Sequence, residues 1–249
     1  MRNFVGGGAD NWVMRRRRPM QLSLPAARTW GGRRRGAGRR RLAARPTPVH
    51  ATRPVHRARH PVHVTLRALA GLGSFRAPVV FAELSRALAK ASKSFFRVTE
   101  FSVQEDHIHL IVEADGTLAL TRGVQGLAIR CARAVNRALH RRGRVWGHRY
   151  RAHHLRTPRE VRAAYVYVLL NHRKHLRAAP GVDPCSSGPW FDGWAHARPP
   201  PHTPTPVIEP RTWLARIGWR RAGGLIDWRE SPAPSPETYR LARKALAPG

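Results

Sequence analysis

Acidic residues are scarce in this chain of 249 residues: 14 Asp and Glu stand against 46 Lys and Arg, a formal net charge of +32. A small soluble domain needs a charge of only ~2–8, so folding does not call for such an excess. A polyanionic partner accounts for it. Lysine is scarce as well, being confined to Lys90, Lys93, Lys174 and Lys244. The cations are therefore arginines, whose planar fork grips phosphate with paired donors. A GC-rich coding sequence explains the Arg/Lys ratio equally well, but not the missing acids. Two cysteines, Cys131 and Cys185, are too few for a disulfide framework or a zinc cage, which points to a reducing compartment. No apolar run approaches the ~18 residues of a membrane span, and the N-terminus has no secretory apolar region. The expectation is a cytoplasmic protein with no membrane partner. No basic amphipathic helix accompanies the arginine clusters, so nucleic acid is a better partner than a membrane surface.

A hydrophobic content of 42% supports one ordinary core with polar extensions. Residues 1–60 hold 16 Arg and a single acid, Asp10, among Gly, Pro and Ala. Residues 1–59 are accordingly expected to be a disordered basic arm that clamps phosphates without specificity. From about His60 the texture becomes periodic. Val62, Val64 and Leu66 alternate as a strand, and Phe81 to Lys93 carries apolar residues at helical spacing. Phe96 to Gln104 and His107 to Ala114 alternate on either side of Glu105-Asp106, which predicts an antiparallel hairpin. Leu118 to Arg142 has a helical stripe of Val124, Leu127, Cys131, Val135 and Ala138, with Gly143 expected at its C-terminal cap. Val145 to Leu155 reads as a strand. Thr157-Pro158-Arg159-Glu160 combines capping-box spacing with Pro at the first helical position, so a helix begins there. The order β-α-β-β-α-β-α predicts an α+β fold, a ferredoxin-like or RRM-like split βαβ with an antiparallel sheet and an added C-terminal helix. This domain is expected over residues 60–194, with residues 195–249 a Pro- and Trp-containing tail of low order carrying a little helix near Glu237 to Leu246.

On the strand from His107, period 2 puts His107, His109, Ile111 and Glu113 on the face opposite Ile108, Leu110 and Val112. Two imidazoles about 7 Å apart along a strand can reach one divalent ion, but many such pairs are simply exposed strand faces. On the helix after Thr157, Val161, Tyr165, Val168 and His172 form one narrow stripe. Tyr167 and Asn171 lie one turn apart on another flank with Glu160, Ala163 and Ala164. Tyr165 reads as a core tyrosine. For Tyr167, spacing alone leaves packing and function both open. His153 and His154 are adjacent on a strand and face opposite sides, which argues against a joint metal site.

Together these residues carry a family resemblance. His107-Ile108-His109 has the His-hydrophobe-His form, and Tyr167-Val168-Leu169-Leu170-Asn171 fits a Tyr-[Ile/Val]-x-x-Asn helix motif. Asn136, the Arg141 to Gly147 run and Arg149-Tyr150 lie between these two motifs, and the Ser186-Ser187 segment with Trp190 closes the stretch, all in the matching order. The stretch from about His60 to Trp194 thus resembles the REP-associated tyrosine transposases, single-tyrosine HUH transposases related to insertion sequence 200. The resemblance implies a bacterial mobile-element enzyme, associated with the nucleoid and working as a monomer or homodimer on single-stranded DNA with hairpin repeats. It implies Mg²⁺ or Mn²⁺ held by His107, His109 and Asn171, and Tyr167 as the nucleophile of a covalent 5′-phosphotyrosine intermediate. The DNA is expected along Arg130, Arg133, Arg137, Arg141, Arg142, Arg144, Arg149 and Arg151. Asp106 stands where the family commonly has Asn, and reads as a turn residue in preference to an outer-sphere contact. His172 stands where Pro commonly follows, so the helix can run on. The alternatives are an RRM-like protein that binds single strands without cleaving them, weakened by histidines where stacking rings would stand, and an inactive domesticated copy.

Overall fold

The structure, a computed structural model, describes residues 54–176, 181–196, 199 and 201–232, with the side chains of residues 173–176 left aside. The elements in chain order are β1 (Val62–Arg67), α1 (Pro78–Ala89), β2 (Phe96–Val103), β3 (His107–Ala114), α2 (Thr117–Ala138), β4 (Arg151–His154), α3 (Pro158–Leu176) and a short α4 (Trp213–Arg216). The four strands form one sheet in the order β2-β3-β1-β4, with every neighbouring pair antiparallel. This is the expected split βαβ arrangement with α3 added.

Alternation along the strands divides the side chains between two layers. Val62, Val64 and Leu66 of β1, Phe101 and Val103 of β2, and Ile108, Leu110 and Val112 of β3 bury one face under α1 and α2. At Gly123, α2 lies close against the sheet, because a Cβ there would collide with the ring of Phe96, which is itself fully buried. The opposite face carries Ile111 and is covered by α3 together with Trp194, Leu214, Trp219 and Ile226. In β2 the register slips between Val98 and Glu100; the bulged Thr99 turns its hydroxyl to the Ile111 carbonyl at 3.0 Å. The free edge of β2 is partly closed by residues 185–187, through Val103 N to Cys185 O at 2.8 Å and Ser187 N to Phe101 O at 2.9 Å.

Several sequence expectations need correction. The α2 helix ends at Ala138, and its left-handed cap residue is His140 (φ 48°), not Gly143. His140 N bonds the Arg137 carbonyl and Arg141 N the Asn136 carbonyl, the paired bonds of a Schellman motif. The strand expected from Val145 shrinks to Arg151–His154. Residues 145–147 are tied to the end of β1 by irregular bonds, Leu69 N to Val145 O and Gly147 N to Arg67 O. The Trp146 indole also donates to the Ala128 carbonyl at 2.8 Å, which fixes this loop to α2. The basic arm does not extend to residue 59 as a detached segment: His56 N donates to Thr117 Oγ1 at 2.9 Å, and His56 Nε2 lies 2.9 Å from the Ala114 carbonyl. Residues 1–53 and the expected helix near Glu237 to Leu246 lie outside the described residues.

The largest difference is in the segment after Trp194. Low order was expected because the segment has no apolar periodicity, yet Leu214, Ala215, Trp219 and Ile226 are buried against α3. Isolated large side chains anchor it instead of a repeating face. Glu113, fully buried on β3, accepts the Arg211 and Thr212 amides at 2.8 and 2.9 Å, while Arg97 donates to it from β2 at 3.2 Å. Arg162 of α3 makes a two-pronged pair with Glu230, at 2.7 and 2.9 Å.

Candidate active site

The capping box predicted at Thr157 is formed. Glu160 N donates to Thr157 Oγ1 at 3.2 Å, and Thr157 N donates to Glu160 Oε2 at 3.0 Å. This fixes the start of α3 and hence its phase over the sheet. Successive residues advance by about 100°, so Tyr165 and Tyr167 point in different directions. Tyr165 is buried against the segment after Phe191: its hydroxyl donates to the Ala215 carbonyl at 2.8 Å, and its ring meets Phe191 and Trp219 at centroid distances of 5.4 Å. Burial and the neighbouring carboxylates Glu100 and Glu113 hold its phenol well above the ordinary value. Tyr167 turns toward the sheet. Its ring centroid lies 5.0 Å from that of His109 and 5.6 Å from that of His63, edge to face in both cases.

His107 and His109 share one sheet face as expected, with ring centroids 4.7 Å apart. Each has its Nδ1 atom engaged by the protein. Asp106 Oδ1 sits 2.6 Å from His107 Nδ1, while Asp106 Oδ2 accepts from Arg67 at 2.9 Å. Partial burial works to raise the Asp106 pKa, but His107 and Arg67 together hold it below the usual carboxylate range. Asp106 is thus more than a turn residue, since it sets the orientation of the first histidine. His109 Nδ1 lies 3.1 Å from His63 Nε2 and 3.2 Å from Thr65 Oγ1, both on β1. Burial, aided by His153 on the adjacent strand, pushes the His63 pKa down to about 4, so its imidazole is neutral at physiological pH. His63 and Thr65 escaped the sequence reading. The signal was present in β1, where they alternate with Val62, Val64 and Leu66 and must therefore face the same layer as the histidine pair across the ladder.

Asn171, one turn after Tyr167, is fully buried, and its Oδ1 and Nδ2 atoms have no hydrogen-bond partner among the described residues. An unsatisfied buried carboxamide is costly, on the order of 1–3 kcal/mol, so its presence in this layer calls for a partner beyond packing. No group of three or more His, Cys, Asp or Glu side chains forms a metal cage among the described residues. A hard divalent ion does not require one, because Mg²⁺ or Mn²⁺ takes carboxamide, water and substrate phosphate oxygens as its main ligands and needs only a few protein donors, to which neutral imidazole nitrogen can be added. The donor set therefore fits such an ion.

The arginines expected along DNA separate into two groups. Arg137 pairs with Glu83 of α1 at 2.8 Å; Arg141 donates to Asn136 Oδ1 at 3.0 Å; and Arg144 donates to the Trp146 and Gly147 carbonyls at 2.6 and 2.5 Å. These three shape the loop after α2, and Asn136 also holds it by donating to the Gly143 carbonyl at 2.8 Å. Arg130, Arg133, Arg142, Arg149 and Arg151 are exposed. His153 is exposed on the face of β4 that pairs with His63, whereas His154 faces the other way, its Nδ1 3.4 Å from His56 Nδ1.

Sheet, histidine pair and facing tyrosine form the candidate site of an α+β protein. Residues 76–168 match the family described as "Transposase IS200 like", a span that includes His107, His109 and Tyr167 and stops just short of Asn171. The resemblance seen in the sequence therefore holds over that span. A solved structure described as "Structure of the REP associates tyrosine transposase bound to a REP hairpin" is similar at 16% identity, covering 50% of this chain and 73% of its own, with a TM-score of 0.42. No curated protein sequence matches the chain. None of the described helices is long and apolar enough to cross a membrane.

Proposed function

We propose that this chain is a DNA strand transferase of the transposase type, which cuts single-stranded, hairpin-forming DNA by forming a covalent link to Tyr167. The observation that carries the reading is the position of the Tyr167 ring, 5.0 Å from His109, while Tyr165 is turned away and sequestered. In the reaction the Tyr167 oxygen bonds to the scissile phosphorus as the P–O3′ bond breaks. The phenolic proton is balanced by the proton gained on the departing 3′-OH, and the 5′-phosphate stays on the tyrosine. One phosphodiester replaces another, so the step needs no nucleotide triphosphate and reverses on a new 3′-OH.

His107, His109 and Asn171 are the residues that would hold Mg²⁺ or Mn²⁺, with Nε2 as the ring atom toward it because Nδ1 faces Asp106 in one ring and His63 and Thr65 in the other. Such an ion, when bound, withdraws charge from the phosphate. A phenol with pKa of about 10 is otherwise a weak nucleophile at neutral pH. The protein contributes orientation: the capped α3 fixes the tyrosine, and the Nδ1 contacts fix the rings. A binding module without bond breaking leaves a tyrosine facing two histidines with nothing to do.

The test is covalent trapping. Incubating the chain with single-stranded DNA carrying the repeats that flank its own gene, plus Mn²⁺, should give an adduct that survives denaturing electrophoresis. Tyr167→Phe should abolish the adduct, whereas Tyr165→Phe should keep it with a stability loss of about 1 kcal/mol from its buried hydrogen bond. Adduct formed by the Tyr167→Phe protein, or mapped to Tyr165, overturns the assignment.

A further inference from the structure

We propose that Gln104, at the end of β2, supplies a further oxygen ligand to the divalent ion, an inference that rests on the metal reading above. Its side chain is 1% exposed and its Oε1 has no hydrogen-bond partner among the described residues, while Nε2 donates to Ser102 Oγ at 2.6 Å. Exchanging the amide oxygen and nitrogen does not remove the problem, since Ser102 satisfies one end only and the other end stays orphaned. The hairpin puts this carboxamide beside the histidines. Ser102 pairs with His109 and Val103 with Ile108, and Gln104 N donates to the His107 carbonyl at 2.8 Å. With period 2, Gln104 therefore lies on the same sheet face as His107 and His109, its Cβ about 5 Å from that of His107.

Two buried carboxamides with unmet hydrogen-bonding capacity thus belong to one layer, Gln104 from the sheet and Asn171 from the helix that covers it. Hydrophobic isosteres would fill either place at less cost if packing were the only demand. A neutral amide oxygen is a suitable ligand for Mg²⁺ or Mn²⁺, and it adds to two imidazoles and Asn171 without introducing a negative charge beside the substrate phosphate. The other occupant of such a site is an ordered water with no ion involved.

The experiment is Mn²⁺ titration of the full-length protein without DNA, followed by the loss of the free-ion electron paramagnetic resonance signal, with thermal unfolding recorded in parallel. Gln104→Leu should bind Mn²⁺ at least about tenfold more weakly than the unsubstituted chain, with a melting temperature in the absence of metal that is equal or higher. Gln104→Glu, which keeps an oxygen at the same reach, should retain or exceed the original affinity and provides the test if the Leu variant fails to fold. Unchanged affinity in Gln104→Leu overturns the ligand role and leaves the metal reading intact. Absence of Mn²⁺ binding by the unsubstituted chain overturns both.

Discussion

Glu100 carries a pH dependence that the charge composition would not suggest. It stands on β2 just after the bulge, 7% exposed, and accepts a hydrogen bond from the Ser187 hydroxyl. Burial drives its pKa from 4.5 up to about 8; the nearby Asp192 charge adds to this and the Ser187 hydrogen bond opposes it. The folded state thus holds this proton more tightly than the unfolded chain. Its favourable contribution is complete below the unfolded pKa of 4.5 and is lost as pH rises toward about 8. The slope is about 1.4 kcal/mol per pH unit and the total about 5 kcal/mol, unless opening of the Ser187 segment limits it first. His56 and His154 act with the opposite sign, because burial lowers their pKa values and stability gained from them rises with pH up to the unfolded value of 6.5. The wild-type profile mixes these effects, so the informative quantity is a difference. Urea unfolding of wild type and Glu100→Gln at several pH values should give similar stabilities near about pH 4.5 and a growing advantage for Gln toward about pH 8, reaching several kcal/mol. Parallel profiles for the two proteins would refute the buried, protonated carboxyl.

Two further predictions concern the helix that closes the other face. Gly126→Ala, where a Cβ meets nothing within 4 Å, should stabilise the protein by about 1 kcal/mol through helix propensity. Gly123→Ala should destabilise by about 1–3 kcal/mol despite the same propensity gain, because its methyl meets the Phe96 ring; equal urea midpoints for the pair would contradict the close approach. His140→Gly should stabilise by about 1 kcal/mol, read as a higher urea midpoint with an unchanged slope, since an exposed non-glycine residue now occupies the left-handed cap position. A loss of stability there would mean that the His140 side chain makes a contact that matters.

Local signals carried much of this architecture. The hairpin was legible because Glu105-Asp106 interrupts two alternating runs, and the start of α3 because Thr157 and Glu160 form a reciprocal cap whose chemistry is complete within four residues. The cap of α2 was misplaced because glycine is the usual left-handed residue and Gly143 was at hand, whereas the chain turns three residues earlier on His140. The residues that orient the histidines were harder to see, since His63 and Thr65 reach His109 only through the β1–β3 register. The segment around Trp213 to Ile226 was illegible for a related reason: it buries single large side chains on a surface supplied by α3, and no periodicity records that kind of packing.

That segment explains how α3 keeps Tyr167 in a fixed direction. One side of the helix faces the sheet, where Tyr167 meets His109 and His63; the other faces Ala215, Trp219 and Phe191, where Tyr165 is held by a buried hydrogen bond. A helix packed on the sheet alone could roll, and a rotation of about 100° would exchange one residue's direction for the next. Rolling is opposed here from the outer side, by the Tyr165 hydroxyl and by the Arg162 pair with Glu230. The same outer segment is anchored to the sheet through Glu113, on the strand that bears both histidines. Tyr167 and the histidines are therefore referenced to one another twice, directly across the interface and indirectly through the outer segment. The outer residues lie beyond the matched residues 76–168, and bracing of this kind holds groups in a fixed mutual orientation, which in the proposed reaction removes the need to reorient them.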